Sequence, residues 1–574
     1  MNLMRRPALA GIVALATAAQ TPACSSCDKE RPGAPSSGAL ADASAPVLPA
    51  VAAPEGLLAR VWVRAPDALW ARVQSGVSGV AALLPSSVGS LLCGAAGLEA
   101  ELGPLVDGKA VSYVVVAGPA AGQGAGGGGG ELAWAVAVPL RDAPRAASVL
   151  LPAPSEASPA RYATREGAGG RVLARADRPL PFAVALAGGF LLLARDEACL
   201  ERLAPYAWRT MPTLPAPAAH GSVVALVAHE ALAARISLAW GTARAWLADR
   251  DAEERARHGG RAPDFGDPRA ILEAADGVVQ RRVAWLREAR ATTVTLEATA
   301  DAIDADLSIE PGADGGAAAL AAMTPGDTRP LAEVPGDAVL ALLMRDGAAA
   351  RADDARELSA TLTRALGPRA REDDARAIGS AARAWADSRG AWLTASLSPG
   401  PPRGVTLRSA GGEAAGHALR GLVELARRPV LADPLRKDLD LGAPSITAAH
   451  VDGLAGASLA TFGPRAPLGL AWGTRDGLLV AVAGEDAGGQ IAAQRDIGRL
   501  GDDPRIARAL SALGDDATVV LLGEPLRLDP SRAAAGAARA PAVLASGVRD
   551  GSAWLHLEVA GELLREMLRL QAGL

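Results

Sequence analysis

The feature that most restricts how this chain can fold is an order of hydrophobic patterns that occurs twice. Pro54-Glu55-Gly56-Leu57-Leu58-Ala59 opens one apolar run, and Pro335-Gly336-Asp337-Ala338-Val339-Leu340 opens another. Further along, PFAVALAGGFLLLARDEACLERL begins at Pro181 and PLGLAWGTRDGLLVAVAGEDAGGQIAAQ begins at Pro467. Both read as strand, turn, strand and helix, with Gly188-Gly189 and Asp476-Gly477 as two-residue hairpin turns. Each helix is followed by another apolar run, Val223–Val227 and Val519–Leu522. The spacing drifts by a few residues from pair to pair, as duplication followed by loop changes would leave it.

The remaining strand candidates are short: Val61–Arg64, Val111–Val116, Leu132–Val138, Thr292–Ala298, Ala302–Ile309, Trp392–Leu397, Val405–Leu407 and Trp554–Val559. Hairpin neighbours must be antiparallel. Helical stripes lie between them. Leu232, Ile236, Trp240, Ala243 and Leu247 form one; Leu272, Ala275, Val279, Val283 and Leu286, opened by Asp267-Pro268, form the next. In the second half, Leu358, Leu362 and Leu366 run to Gly367-Pro368, and Ile378, Ala382 and Trp385 follow. These patterns predict an α+β fold: two similar halves of antiparallel sheet with helices packed on one face, each half with an inserted helix pair. The 574 residues also exceed the ~250–300 that one core supports. The expected division is 1–23 signal peptide, 24–53 disordered tether, 54–327 first α+β domain and 328–574 second.

The N-terminus carries an address. Arg5 and Arg6 precede an apolar segment from Ala8 to Ala19, the form of a signal peptide. Thr21-Pro22-Ala23-Cys24 then resembles the lipobox of bacterial lipoproteins, in which a small residue precedes a cysteine that is acylated and becomes the first residue. That resemblance implies lipidation of Cys24 and a lipid-anchored place in the bacterial envelope, on the outer membrane or the periplasmic face. The alternative is ordinary cleavage after Ala16-Thr17-Ala18, which leaves a soluble secreted protein. Ser25 to Ala53 is rich in Ser, Pro, Ala and Gly and reads as a tether. No later run reaches the ~18 apolar residues of a membrane span. Export permits a disulfide, for which Cys93 and Cys199 are the pair; two buried free thiols are the equal alternative. In pattern alone, the body resembles a bacterial secreted family of unknown function, which supplies no site residues.

Catalytic motifs are absent or incomplete. The net charge of -5, without like-charge runs, offers no basic stripe for nucleic acid. Gly122, Gly124 and Gly127 satisfy G-x-G-x-x-G, but a strand is expected after them, where a dinucleotide fold needs a helix. Trp392–Leu397 and Val405–Leu407 are joined by SPGPPRG in the matching place, an exchange a phosphate cradle would not survive. His229-Glu230 lacks the second histidine of a zinc helix, since Ala233 stands there. His258 and Asp264 fall in a loop, and His417, His450 and His556 have no partners at ligand spacing. Ser458 lacks the closing glycine of a nucleophile elbow, and Ser26…Lys29 lies in the tether. Asp304 and Asp306 share a face of a strand-like run and read as solvated. The eleven tryptophans are scattered over strands and helices, as core fillers would be. No catalytic, cofactor or metal residue is assigned. The expected protein is a non-catalytic, lipid-anchored envelope protein that acts by binding or assembly. Its expected partners are the membrane through its lipid, and an envelope protein or an apolar ligand. An exported hydrolase and a carbohydrate-binding protein are the alternatives.

Overall fold

The computed structural model describes residues 48–572 except 77–83, 119–131, 152–160, 168, 176–178, 258, 260–267, 300, 313–322, 401–402, 464–467, 495 and 529–538. Cys24, most of the tether, the glycines at 122, 124 and 127, His258 and Asp264 lie outside the described residues. The chain divides into two compact units. The first runs to Ala228 and takes in Thr295–Ala300; the second holds His229–Val294 and Asp301–Leu574. The boundary thus differs from the one expected at 327–328, because the helices that follow Ala228 group with the second unit.

In the first unit, β1 (Leu57–Val63), β2 (Ser112–Ala117), β3 (Ala133–Pro139), β4 (Tyr162–Gly167), β5 (Gly170–Arg175), β6 (Ala183–Ala187), β7 (Phe190–Ala194) and β8 (Val223–Val227) pair in the order β8-β1-β2-β3-β7-β6-β5-β4. Every pair is antiparallel. Helices α1 (Pro66–Gly76) and α2 (Val88–Ala96) lie between β1 and β2, α3 (Ala143–Leu150) follows β3, and α4 (Glu197–Pro205) follows β7. Next in the chain come α5 (His229–Arg257) and α6 (Pro268–Arg287), then β9 (Ala291–Ala298) and β10 (Ala302–Glu310).

The rest of the second unit contains β11 (Leu340–Arg345), β12 (Trp392–Ser398), β13 (Gly404–Ser409), β14 (Ser445–Ala448), β15 (Ala455–Thr461), β16 (Gly469–Arg475), β17 (Leu478–Gly484), β18 (Ala517–Gly523), β19 (Ala542–Arg549) and β20 (Ser552–Ala560). Their order is β14-β15-β16-β17-β13-β12-β11-β18-β19-β20-β10, again antiparallel throughout. From β14 to β18 each label is ten higher than its counterpart in the first unit. Helix α7 (Arg329–Ala332) precedes β11, α8 (Ala348–Leu366) and α9 (Glu372–Ser388) follow it, and α10 (Gly412–Leu425) and α11 (Pro429–Leu439) follow β13. Helices α12 (Ala487–Ala493) and α13 (Pro504–Ala512) follow β17, and α14 (Gly561–Ala572) follows β20.

Both expected hairpin turns form. Gly188 and Gly189 have φ of 54° and 82°, and Asp476 and Gly477 have 53° and 75°. Paired left-handed residues match the twist of the flanking strands, which is why Gly and Asp are found there. The glycine fingerprint is bracketed by β2 and β3, which pair antiparallel. Among the described residues, β3 is the first element after the fingerprint, and the first helix after it is Ala143–Leu150.

Two expectations about the helices are corrected. Helices cover both faces of the first unit's sheet at β3 and of the second unit's sheet at β17. Along β3, Ala133, Ala135 and Ala137 pack with α4 in one core, while Trp134 and Val136 pack with α2 and α3 in another. Along β17, Ala481 belongs to the core under α10, and Val482 to the core under α12. These strands are apolar at both alternations, so each face needs a cover. The second correction concerns the helix pairs. Helices α8 and α9 lie between β11 and β12, the place that α1 and α2 take between β1 and β2, so they are not an insertion. Among the described residues, the α5–α6 pair after β8 is the one without a counterpart at the same place.

Of the two alternatives left open for Cys93 and Cys199, the structure has the second: both are buried free thiols. Cys93 packs with Trp134 and Val136, and Cys199 with the alanines of β3, so the sheet lies between them. Burial, helped by the charge of Glu99, pushes the Cys93 thiol up to about 12, and burial also raises Cys199. Thiolate is the reactive form. Iodoacetamide at pH 8 should therefore leave both unlabelled in the folded protein, and both should label after denaturation without reductant. Peptide mapping reads this directly; labelling that requires a reductant would mean a disulfide.

Candidate functional site

The strands β10 and β20 bring together side chains that are far apart in the chain. Alternation along AIDADLSIE puts Asp304 and Asp306 on one face of β10, and alternation along SAWLHLEVA puts His556 and Glu558 on one face of β20. The antiparallel register sets Asp304 opposite Glu558 and Asp306 opposite His556. The local cause of half this arrangement is the turn at Asp550-Gly551, with φ of 50° and 73°, which folds β19 onto β20. On the same face, Val543 and Ala545 of β19, opposite Glu558 and His556, belong to the core beneath α13. The four polar residues therefore stand at the margin of an apolar core.

Asp306 Oδ1 lies 2.7 Å from His556 Nδ1. His556 Nε2 is buried and has no hydrogen-bond partner. One ligand atom from each of Asp304, His556 and Glu558 lies within 4.8 Å of the others. The hydrogen bond to Asp306 holds the imidazole above its ordinary value, against the opposing effect of burial. Burial raises Asp304 and Glu558, and their mutual repulsion adds to it for Glu558. Arg508 of α13 pulls weakly the other way and is itself paired with Asp301 at 3.3 Å.

The opposite face of the same strands is apolar and open. Leu342, Leu521, Leu544 and Leu557 stand directly opposite one another in adjacent strands β11, β18, β19 and β20. Ala395 and Leu407 continue the row through β12 and β13. The next rows add Leu340 and Leu555. Leu340, Leu544, Leu555 and Leu557 remain 37–38% exposed. At the β13–β17 end this face is closed by α9 and α10, through Trp385, Leu419 and Val423. Leu358 and Leu362 of α8, expected in a buried stripe, are exposed, as are Ile236 and Leu247 of α5. The α8 stripe is buried only at Leu366. Helices α8 and α6 instead meet through ion pairs, Arg281 with Glu357 and Arg364 with Glu273.

The other sequence candidates do not converge. His417 is exposed beside Glu413, and His450 is exposed beside Asp452. His229 begins α5, where Ala233 packs with Val283 and Leu286 of α6. Ser458 lies within strand β15 and accepts a hydrogen bond from Arg420 at 2.8 Å, so it is not on a strand–helix corner. Of the tryptophans, Trp62 and Trp472 are buried and Trp246 is exposed. Trp240 donates from Nε1 to Asp276 of α6 at 2.7 Å, joining the two helices. Among the described residues, no helix is long and apolar enough to cross a membrane. The carboxylate–histidine grouping escaped the sequence because its halves are 250 residues apart and strand partners leave no spacing signature.

Comparison with family models, with curated proteins and with solved structures finds no match.

Proposed function

We propose that this is an exported binding protein without catalytic activity, anchored through a lipid on Cys24, that takes an apolar ligand on the open face of the second unit's sheet. The observation that carries the reading is the leucine row across β11, β18, β19 and β20. Antiparallel sheets with a solvated face alternate apolar with polar residues. In β11, β18 and β19 both alternations are apolar near the row, and one of them is left partly in water. Exposed contiguous apolar surface of this kind marks an interaction site in soluble proteins. We also infer that the two units descend from one duplicated unit. The matching order of strand pairing from β14 to β18 supports that inference, as do the hairpin turns at Gly188-Gly189 and Asp476-Gly477.

Two experiments test the reading. In the first, a Leu544→Asp, Leu557→Asp double variant of the full chain is titrated with a fluorescent fatty acid. Both residues are part-exposed, so the circular dichroism spectrum should be unchanged while affinity falls at least tenfold. Equal binding by variant and wild type overturns the ligand reading. So does a wild-type dimer that the double variant converts to monomer, since the face would then serve self-association. In the second, cells producing wild type or Cys24→Ser are fractionated. Wild type should enter the membrane fraction and the variant the soluble one; identical partition overturns the anchor.

A further inference from the structure

We propose that Asp304, His556 and Glu558 bind one divalent transition-metal ion of the zinc class, with His556 binding through Nε2 and Asp306 orienting its ring. The chemistry of the donor set comes first. One imidazole and two carboxylates form a three-ligand set of the kind that holds zinc and leaves a position for water or a ligand. Such an ion has bonds of about 2.0–2.2 Å, so in tetrahedral coordination its ligands stand about 3.3–3.6 Å apart. One ring nitrogen of His556 and one carboxylate oxygen from each of Asp304 and Glu558 lie within 4.8 Å of one another, and rotation of the side chains would supply the remaining contraction.

The second, independent observation is the state of the imidazole. A metal-ligating histidine ordinarily gives its other ring N–H to a carboxylate, which fixes the tautomer and turns the free nitrogen toward the ion. His556 has this arrangement: Nδ1 is 2.7 Å from Asp306, and Nε2 is buried with no partner. A buried polar nitrogen without a partner carries a desolvation penalty, and a metal ion would remove it. Charge points the same way. Asp304 and Glu558 face each other across the strands, and the guanidinium of Arg508 is paired with Asp301. The site would also pin β10 to β20, so that metal binding stabilises the sheet by mass action.

The test uses the full chain in a Cys24→Ser, Cys27→Ser background, which removes the N-terminal thiols as competing ligands. After treatment with chelator, the protein is titrated with Zn2+ by calorimetry and with Co2+ by visible absorption. One equivalent of each should bind, with Co2+ d–d bands free of thiolate charge transfer, and Zn2+ should raise the melting temperature. His556→Ala should lower affinity at least 100-fold, and Asp306→Asn about 10–100-fold. His450→Ala, which changes an exposed histidine, should leave affinity unaltered. Should His556→Ala fail to fold by circular dichroism, Glu558→Gln, close in shape, takes its place with the same expected loss. Absence of saturable binding overturns the site and leaves a plain ion pair of His556 with Asp306. Binding that survives both His556→Ala and Glu558→Gln, or Glu558→Gln alone where His556→Ala does not fold, overturns it as well.

Discussion

Replacing Trp62 with alanine should destabilise the protein by about 3–5 kcal/mol, the range for removing a large buried side chain. Trp62 is 2% exposed and is the penultimate residue of β1, opposite Tyr113 on one side and Val224 on the other. It shares a core with Val115, Leu192, Leu200 and Leu203. These neighbours belong to packed strands and to α4, so they cannot collapse into the space an indole leaves. Trp246→Ala is the contrasting case. Trp246 is 45% exposed, and its recorded ring contact is Arg250 at 6.0 Å. Its loss should cost under about 1 kcal/mol, the scale of an exposed cation–π contact. Urea unfolding followed by far-ultraviolet circular dichroism measures both without relying on the fluorescence of the deleted indole. Equal midpoints for wild type and Trp62→Ala would mean that Trp62 does not fill a core. The contrast also bears on carbohydrate binding, which needs several ring faces lined up in water. Of the eleven tryptophans, Trp246 is the exposed one.

Local chemistry was legible in this chain, and long-range partnership was not. Val223–Val227 stands out in the sequence as an apolar run, and β8 forms over those same residues, since a β-branched run between turn signals has few other outcomes. Gly188-Gly189 and Asp476-Gly477 were legible because two-residue hairpins demand left-handed residues. By contrast, β4 is YATREG, polar and mostly exposed, and gives no alternating signal. Expecting helices on one face undervalued alanine. Ala133, Ala135 and Ala137 pass for neutral in sequence, yet they form the floor on which α4 packs. The candidate site shows the same division. Asp304 with Asp306 on one strand face, and the strand carrying His556, were each readable from alternation. Their union depends on β10 choosing β20 as its partner, which packing decides and no short pattern records.

Removing both arginines that attend Glu524 should have the second large effect. Glu524 is fully buried just after β18, and its backbone N–H donates to Val339 O at 2.8 Å. Arg527 Nη1 donates to Glu524 Oε2 at 3.1 Å. Arg539 Nη1 lies 3.0 Å from Oε1, an ion contact without hydrogen-bond alignment. A carboxylate stripped of its counter-charges in such a place has no water to turn to. The Arg527→Ala, Arg539→Ala double variant should therefore lose about 3–5 kcal/mol, as buried pairs do when one side is removed. Glu524→Ala should be milder, because the two arginine side chains are 17% and 19% exposed and Arg539 keeps Asp503 at 3.5 Å. Adding Glu524→Leu to the double arginine variant should recover most of the loss, since replacing a whole buried ionic group by apolar side chains is often neutral. Urea midpoints for the four proteins give the ordering. If the double arginine variant is no less stable than Glu524→Ala, the charge of Glu524 is not what those arginines hold in place.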